Sequence, residues 1–233
     1  RYTDYIPGAG FDFNCLPHMS TEDIQLKKQT LGLPLNRRIL LSSGEFIKRK
    51  NHETALRAIA KLIREFPDIH YVICGHGQLH DYLLQLVKDL GLEDHVSFPG
   101  YRQDILEIYP CADIFVFPSF QEGLPMALLE AMANGLPVVC SNIRGSRDLM
   151  EPENRGSQEI PHQSAGLQPC KGGYMISKAD DVDAYTEALA LILRHPDSMN
   201  SMKQANALRA QQFSMEQVSA RMEKIYQRIG CEK

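Results

Sequence analysis

The chain has 233 residues, of which 43% are hydrophobic and 23% are charged, which is typical of globular proteins. Its formal net charge of −4 argues against a nucleic-acid partner, because binding to the phosphate backbone requires a surplus of lysine and arginine. No apolar stretch reaches the roughly 18 residues that a membrane-spanning helix needs. We therefore expect no segment that crosses a bilayer, and docking to a membrane surface stays open.

The six cysteines show no Cys-x-x-Cys spacing. Cys74 and Cys140 lie in apolar runs, where a thiol packs as a small hydrophobic side chain. This usage is typical of a reducing compartment, so we expect a cytoplasmic protein, with the inner face of the membrane as a second candidate location. Because the first residue is Arg1 and not methionine, we expect the chain to be a fragment.

From Arg38 onward, short apolar runs alternate with segments of helical periodicity. Strands that are apolar throughout and separated by amphipathic helices indicate a parallel sheet covered on both faces. Right-handed crossovers then produce an α/β fold with a doubly wound, Rossmann-like parallel sheet. The predicted strands are Ile39–Ser43, Ile69–Cys74, His95–Phe98, Ile114–Phe117, Val138–Ser141 and Tyr174–Ile176.

Sheets of this kind bind ligands beyond the carboxyl ends of their strands, so the turns there are candidate binding segments. Each of these turns contains glycine, which lets backbone approach a ligand closely but is also common in turns of every kind. The candidate segments are Gly44–Lys50, Gly75–Gln78, Gly100–Arg102 and Ser119–Met126.

The most informative segment lies between the fourth and fifth predicted strands. Residues Met126–Ala133 form an apolar helix that should be buried. Pro125 before it fits the first helical position, and Gly135 fits the residue just past its end. Glu130 is the one charged residue of this helix, and a buried carboxylate needs partners. It forms either a structural ion pair with an arginine or lysine, or it accepts hydrogen bonds from the vicinal hydroxyls of a ribose.

The turn before this helix contributes Glu122, with seven residues between the two glutamates. A helix N-terminus with free N–H groups carries about half a positive charge and is a natural anion site. Together these groups predict a groove that holds a sugar hydroxyl, a phosphate and a ribose in sequence. The candidate amide donors are those of Gly123, Leu124, Met126 and Ala127.

Glu-x7-Glu followed by Ala-Met-Ala-x-Gly-x-Pro-Val-Val resembles the signature of the family 4 retaining glycosyltransferases, which adopt the two-domain GT-B fold. Other segments resemble the C-terminal domain of that family, in the right order, from about residue 5 to residue 229. The resemblance implies that this chain is the donor-binding, C-terminal half, and that an N-terminal acceptor-binding domain lies outside it. The segments are Ile6–Asp12, Ser43–His52, Cys74–Gly77 and Val96–Tyr101.

The resemblance also implies roles for single residues. Glu130 would bind the ribose of a sugar donor, Glu122 would hold hydroxyls of the transferred sugar, and Lys50 would contact the diphosphate. Backbone at Tyr101 and Arg102 would contact the base. We take Glu122 and Lys50 as the candidate catalytic residues. The remaining predicted donor-binding residues are Gly44, Arg49, Gly75, Gly123, Leu124 and Met126.

Two positions depart from the family pattern. Many members have an arginine where Glu45 stands, and that arginine helps to neutralise the diphosphate. Lys48 and Arg49 are the candidates to replace it here. Pro125 stands in place of a common glycine and removes one potential N–H donor.

We predict no metal site and no cofactor beyond the nucleotide-sugar co-substrate. His76 and His80 have the spacing of two metal ligands on a helix, but no third ligand is evident nearby, and we interpret them as solvated turn histidines. A lysine and a helix N-terminus can offset the negative charge that develops on a departing diphosphate. The cluster Lys48–Lys50 is accordingly interpreted as a solvated or phosphate-facing turn.

The sequence thus predicts a glycosyltransferase that transfers a sugar from a nucleoside-diphosphate sugar, with UDP ahead of GDP and ADP, to an unknown acceptor with retention of configuration. Polysaccharide or glycoconjugate synthesis is the expected context, and the isolated chain is expected to bind donor with little or no turnover. The alternatives are a nucleotide-sugar epimerase of the same fold and a non-catalytic nucleotide-sugar-binding module. A dehydrogenase is disfavoured, because Gly44 does not begin a Gly-x-Gly-x-x-Gly motif.

We divide the chain into a Rossmann-like domain, 1–213, and a C-terminal crossover helix, 214–233. Within the domain, residues 151–173 are rich in Pro, Gly, Ser, Gln and Glu, and we predict a surface loop outside the donor cleft. The chain after Asp180 is predicted to be helical, with Asp180-Asp181 as an N-terminal cap. If the last helix packs on the absent domain, its apolar face is exposed here; that face contains Val218, Met222, Ile225, Tyr226 and Ile229.

Overall fold

A computed structural model describes residues 10–150 and 166–231, with side chains up to residue 228. Its strands form one seven-stranded sheet in the order β3-β2-β1-β4-β5-β7-β6. All neighbouring strands are parallel except β6, which runs antiparallel to β7 at one edge. The strands are β1 Arg38–Ser43, β2 Ile69–Cys74, β3 Val96–Gly100, β4 Ile114–Phe117, β5 Val138–Ser141, β6 Leu167–Cys170 and β7 Gly173–Ile176.

The predicted doubly wound, Rossmann-like sheet is confirmed. Strands β2, β4 and β5 have the predicted bounds, β1 and β7 begin one residue earlier, and β3 is shifted by one or two residues. The chain adds β2 and β3 on one side of β1 and then returns to the other side with β4. The strand order therefore reverses between β1 and β4, which is where open α/β sheets form a ligand crevice.

Nine helices accompany the sheet in the described part of the chain, and apolar side chains cover both of its faces. Helices α2, α3 and α7 pack on one face, while α4, α5 and the end of α8 pack on the other. Among the described residues, no helix is both long and apolar enough to span a bilayer. The helices are α1 Thr21–Thr30, α2 His52–Leu62, α3 His80–Asp89, α4 Ile105–Ile108, α5 Met126–Ala133, α6 Arg144–Leu149, α7 Val182–Arg194, α8 Pro196–Gln211 and α9 Met215–Cys231.

The prediction of a loop over 151–173 is wrong at its C-terminal end. Residues 151–165 lie outside the described part of the chain, but Leu167–Cys170 form β6 and Gly173 begins β7. Pro169 concealed this strand, because proline is compatible only with edge strands and strand ends. Here β6 is an edge strand, and Pro169 pairs with Tyr174 across the hairpin.

The helical tail is confirmed as three helices, and the side chain of Asp181 caps α7 by accepting a hydrogen bond from the amide of Ala184 at 3.0 Å. The prediction that the apolar face of α9 is exposed is wrong at Val218, which is buried. The start of α9 is tied to this domain, because the amide of Met215 donates to the Phe11 carbonyl at 3.1 Å. Further along, Met222 and Ile225 are half-buried and Tyr226 is 65% exposed, and the side chain of Ile229 lies outside the described part.

Asn206 of α8 joins two loops that precede β5 and β7. Its Nδ2 donates hydrogen bonds to the carbonyls of Leu136 at 2.6 Å and Gly172 at 2.8 Å, and its side chain is buried. The contact is so close that a Cβ on Gly172 would lie 1.7 Å from the Asn206 Oδ1. This one side chain therefore fixes α8 against the sheet.

We predict that Asn206→Ala lowers the free energy of unfolding by about 2–4 kcal/mol, because two hydrogen bonds to buried carbonyls are lost. Asn200→Ala is the matched control, since Asn200 is an exposed residue of the same helix and should change stability by less than about 0.5 kcal/mol. Urea unfolding of both variants measures the difference. Equal stabilities for the two variants would show that Asn206 does not fix the helix.

Candidate functional site

A cleft of about 340 Å³ opens beyond the carboxyl ends of β1, β2 and β3, beside α5. It lies at the reversal of strand order, as the candidate turns predicted. Of the predicted site residues, the cleft is lined by Gly44, Lys50, Gly75, Tyr101, Arg102 and Glu130. Arg49, Glu122, Gly123 and Leu124 lie in the adjoining turns, and Met126 begins α5; none of these five lines the cleft.

The floor of the cleft consists of backbone. The Gly44 amide donates to the Cys74 carbonyl at 3.0 Å, and the Gly75 amide donates to the Gly100 carbonyl at 2.9 Å, so the turn after β1 is hydrogen-bonded to the end of β2 and the turn after β2 to the end of β3. Gly75 and Gly44 approach so closely that a Cβ on Gly75 would lie 1.9 Å from the Gly44 oxygen. Glycine is therefore required at position 75 by packing against the turn after β1, whether or not a ligand is bound.

The two candidate catalytic residues are in direct contact. Nζ of Lys50 lies 2.8 Å from Oε1 of Glu122, and Nη1 of Arg49 lies 2.9 Å from Oε2 of the same carboxylate. The side chains of Glu122 and Lys50 are only 10% and 14% exposed, whereas that of Arg49 is 42% exposed. One carboxylate thus holds two cations, and the cluster has a surplus of one positive charge.

The backbone of the two turns is also joined. The amide of Phe120 donates to the Arg49 carbonyl at 2.9 Å, and Nη1 of Arg49 donates to the Gln121 carbonyl at 3.0 Å. Lys48 and Arg49 are the two candidates to replace the arginine that many members of the resembled family have where Glu45 stands. Of the two, Arg49 lies beside Lys50 and Glu122. Lys48 instead lines a separate cavity near Tyr82 and Phe120.

The N-terminus of α5 presents free amides. The helix begins at Met126, and Pro125 precedes it with φ −79° and ψ 97°, so the prediction of Pro125 at the first helical position is wrong by one residue. The carbonyl of Pro125 accepts hydrogen bonds from the amides of Leu128 and Leu129, so it forms part of the first turn of the helix. Within the described part of the chain, no hydrogen bond engages the amides of Gly123, Leu124, Met126 and Ala127.

Glu130 is partly buried and is hydrogen-bonded by a tyrosine. The hydroxyl of Tyr109 lies 2.9 Å from Oε2 of Glu130, and no arginine or lysine of the described residues forms an ion pair with it. Burial raises the pKa of Glu130 above its usual value, and the hydrogen bond from Tyr109 partly offsets this. The structural ion pair considered for Glu130 is thus not formed within the described part.

On the β3 side, Tyr101 is 66% exposed and packs edge-on against His76, with ring centroids 5.3 Å apart. The Arg102 side chain donates to both oxygens of Asp104, at 2.8 and 2.6 Å, and this holds the pKa of Asp104 well below its usual value. The Arg102 side chain is therefore paired with Asp104, whereas the predicted contact with a base uses the backbone of Arg102.

His76 and His80 do not share a helix. His76 lies in the turn after β2, whereas His80 is the first residue of α3 and stacks on Phe46 with ring centroids 5.9 Å apart. The interpretation of His80 as a turn residue is therefore wrong, although its side chain is 45% exposed as a solvated histidine should be. Across residues 10–150 and 166–231, no group of three or more His, Cys, Asp or Glu side chains is placed to hold a metal ion.

The sequence interpretation missed Tyr109 and Ser43. Their hydroxyls lie 3.0 Å apart, and Tyr109 links Ser43 at the end of β1 to Glu130 on α5. The available signal was Glu130 itself, because a partly buried carboxylate needs a donor and a buried tyrosine hydroxyl needs an acceptor.

The sequence model of the family described as glycosyl transferases group 1 matches residues 23–209. The chain belongs to this family. A UDP-Gal:α-D-GlcNAc-diphosphoundecaprenol α-1,3-galactosyltransferase of Escherichia coli is 36% identical over 134 residues, which are 56% of this chain and 35% of that protein. The N-acetyl-α-D-glucosaminyl L-malate synthase of Bacillus anthracis is 28% identical over 202 residues, which are 87% of this chain and 48% of that protein.

Solved structures show the same fold as this group 1 glycosyltransferase chain. Anabaena Alr3699/HepE in complex with UDP superposes with a TM-score of 0.76 at 21% identity, covering 94% of this chain and 56% of that one. A glycosyltransferase from Rickettsia africae superposes with a TM-score of 0.78 at 16% identity, covering 96% of this chain and 56% of that one. The chain spans about half of the length of these proteins.

We predict that Gly75→Ala lowers the free energy of unfolding by about 3 kcal/mol, because its Cβ would overlap the Gly44 carbonyl oxygen and force two hydrogen-bonded turns apart. Gly123→Ala is the matched control, since a Cβ there meets nothing within 4 Å. It should change stability by less than about 0.5 kcal/mol in urea unfolding. A harmless Gly75→Ala would mean that the turns are not in the described contact.

Proposed function

We propose that this chain binds a nucleoside-diphosphate sugar in the cleft beside α5, and that the complete glycosyltransferase transfers the sugar to an acceptor with retention of configuration. The observation that carries the proposal is the cluster of Lys50, Arg49 and Glu122 beside the free amides that begin α5. In a group 1 glycosyltransferase, this cluster offers positive charge for a diphosphate and a carboxylate for sugar hydroxyls within one ion-paired group.

The proposed donor extends across the cleft. Lys50, Arg49 and the α5 amides would contact the diphosphate, and Glu130 would accept hydrogen bonds from the ribose. Backbone at Tyr101 and Arg102 would contact the base. When the bond between the anomeric carbon and the diphosphate oxygen breaks, negative charge increases on that oxygen. Cations and aligned amides placed there stabilise the charge as it develops, so we propose that no divalent metal is required.

The ion pairs of Glu122 link diphosphate binding to sugar recognition in the proposed reaction. Its carboxylate is paired with both cations that the diphosphate would use, one through each oxygen. A bound diphosphate competes for Lys50 and Arg49, and each contact it gains releases one from the carboxylate. The released Glu122 oxygens can then accept hydrogen bonds from hydroxyls of the transferred sugar. Diphosphate binding thus prepares the group that recognises the sugar.

We propose UDP as the nucleotide and a hexose as the sugar. Support comes from the E. coli relative, whose name specifies UDP-Gal, and from Alr3699/HepE, whose structures contain UDP and UDP-glucose. Since the chain spans about half of its relatives, we also propose that an N-terminal domain supplies the acceptor site. The diphosphoundecaprenol compound named for the E. coli relative supports a role in glycoconjugate synthesis, which we propose takes place at the cytoplasmic face of a membrane.

We predict that UDP stabilises the chain in the presence of EDTA, and does so more than GDP or ADP at equal concentration. Ligand at 100 times its dissociation constant should add about 2.7 kcal/mol to the free energy of unfolding. A thermal-shift series with the three nucleotides, with and without EDTA, measures both effects. No response to millimolar nucleotide would contradict donor binding, and a response abolished by EDTA would contradict the metal-free diphosphate site.

We predict that Lys50→Ala weakens UDP binding by about 10- to 100-fold and leaves uridine binding unchanged, because one charge-assisted contact to the diphosphate is lost. Lys48→Ala is the matched control from the same turn and should change UDP affinity by less than about threefold, since it lines another cavity. Glu122→Gln should bind UDP at least as tightly as the wild type, because the competing ion pairs are weakened.

Isothermal titration of the three variants with UDP and uridine distinguishes these roles. Equal losses for uridine and UDP in Lys50→Ala would indicate a structural role for the lysine. Weaker UDP binding in Glu122→Gln would contradict the competition between the carboxylate and the diphosphate.

A further inference from the structure

We propose that Tyr109 is a positioning residue for donor binding, which holds the Glu130 carboxylate in the orientation that accepts the ribose hydroxyls. This proposal rests on the proposed function, because it concerns the same cleft. Tyr109 does not line the cleft and is fully buried, so it would act through Glu130 and not by contact with the donor.

The position of the Tyr109 hydroxyl is set by packing. The residue lies in a 3₁₀ turn, Tyr109–Cys111, that follows α4. Its ring packs edge-on against Phe115 of β4, with centroids 5.7 Å apart. A ring that is enclosed in this way has one position for its hydroxyl, which reaches Ser43 Oγ at 3.0 Å, Glu130 Oε2 at 2.9 Å and the Ala127 carbonyl at 3.2 Å.

The hydroxyl has one proton to donate among these three neighbours. A carboxylate is a stronger acceptor than a neutral carbonyl or a hydroxyl, so the proton is directed to Oε2 of Glu130. Ser43 can then donate its own proton to the Tyr109 oxygen. The result is a chain of hydrogen bonds from the end of β1, through Tyr109, to α5.

This arrangement leaves one face of the carboxylate for a ligand. Glu130 lines the cleft, and no hydrogen bond within the described part of the chain engages its Oε1. A carboxylate fixed through one oxygen presents the other at a defined angle. Vicinal hydroxyls require such an angle, because both must donate to the same group.

The hydrogen bond from Tyr109 also favours the charged form of Glu130, because it lowers the pKa of that carboxyl against the effect of burial. Burial raises the pKa of Glu130 and also raises that of Tyr109 well above its usual value, so the tyrosine remains a donor. The other charged or titratable groups that line the cleft are Glu45, Lys50, Cys74, His76, Tyr101 and Arg102, with Cys15 nearby. None of these is hydrogen-bonded to Glu130, so the loss of the Tyr109 hydroxyl should raise its pKa further.

The test is Tyr109→Phe, which keeps the ring and removes the hydroxyl. UDP and 2′,3′-dideoxy-UDP serve as probes, because they differ only in the ribose hydroxyls. We expect the variant to bind UDP about tenfold more weakly and the dideoxy analogue with unchanged affinity. The ratio of the two affinities within one variant does not depend on the folded fraction, so reduced stability does not obscure the result.

Tyr185→Phe is the matched control. Tyr185 is also fully buried and its hydroxyl lies 2.8 Å from Ser141 Oγ, but it packs on the opposite face of the sheet, and no carboxylate of the described residues is hydrogen-bonded to it. This variant should keep the wild-type affinity ratio. A pH series gives a second readout: UDP affinity falls as Glu130 is protonated, and in Tyr109→Phe this fall should occur at higher pH than in the wild type.

The outcomes separate the two proposals. A wild-type chain that binds neither probe contradicts the proposed function. If the wild type prefers UDP to the dideoxy analogue and Tyr109→Phe keeps that preference and the wild-type pH profile, the positioning role is wrong. Equal weakening of both probes in Tyr109→Phe would likewise overturn it, since a general disturbance of the cleft does not distinguish ribose hydroxyls.

Discussion

The close contact between the turns after β1 and β2 is the constraint on which the cleft depends. Gly44 and Gly75 allow these turns to hydrogen-bond to neighbouring strands with no side chain between them. The turn after β1 then continues directly into the Lys48–Lys50 segment, whose backbone is joined to the turn after β4 through Arg49 and Phe120. The order of the strands places the turns together, and the absence of a side chain at Gly75 sets how closely they approach.

The two glutamates near the cleft, Glu122 and Glu130, have different partners for their carboxylates. Glu122 is compensated by two cations. Glu130 has a hydroxyl donor and no ion pair among the described residues, so its other oxygen stays available to accept a hydrogen bond. A phosphate competes with the first carboxylate, whereas neutral hydroxyls can add to the second. This difference supports assigning the diphosphate region to Glu122 and the ribose to Glu130.

The outer parts of the domain show how local patterns can mislead. β6 was predicted as loop because its composition and Pro169 disfavour an interior strand, yet an edge position requires fewer hydrogen bonds. Val218 was assigned to an exposed face, but the bridge between Phe11 and Ser214 brings the start of α9 onto this domain. In both cases a distant partner decided the outcome, and periodicity within a short window contains no information about that partner.

The sequence by itself determined the fold class, the six core strands and the helix Met126–Ala133, because apolar runs and helical periodicity are local and strong. It also placed Glu122, Glu130 and Lys50 on the side of the sheet where the carboxyl ends of the parallel strands lie, because open α/β sheets bind ligands there. Only the tertiary structure decided that Glu122 holds Lys50 and Arg49, and that Tyr109 holds Glu130. Those pairings join residues 21 to 73 positions apart, and their geometry depends on how strands and helices pack, which spacing along the chain does not specify.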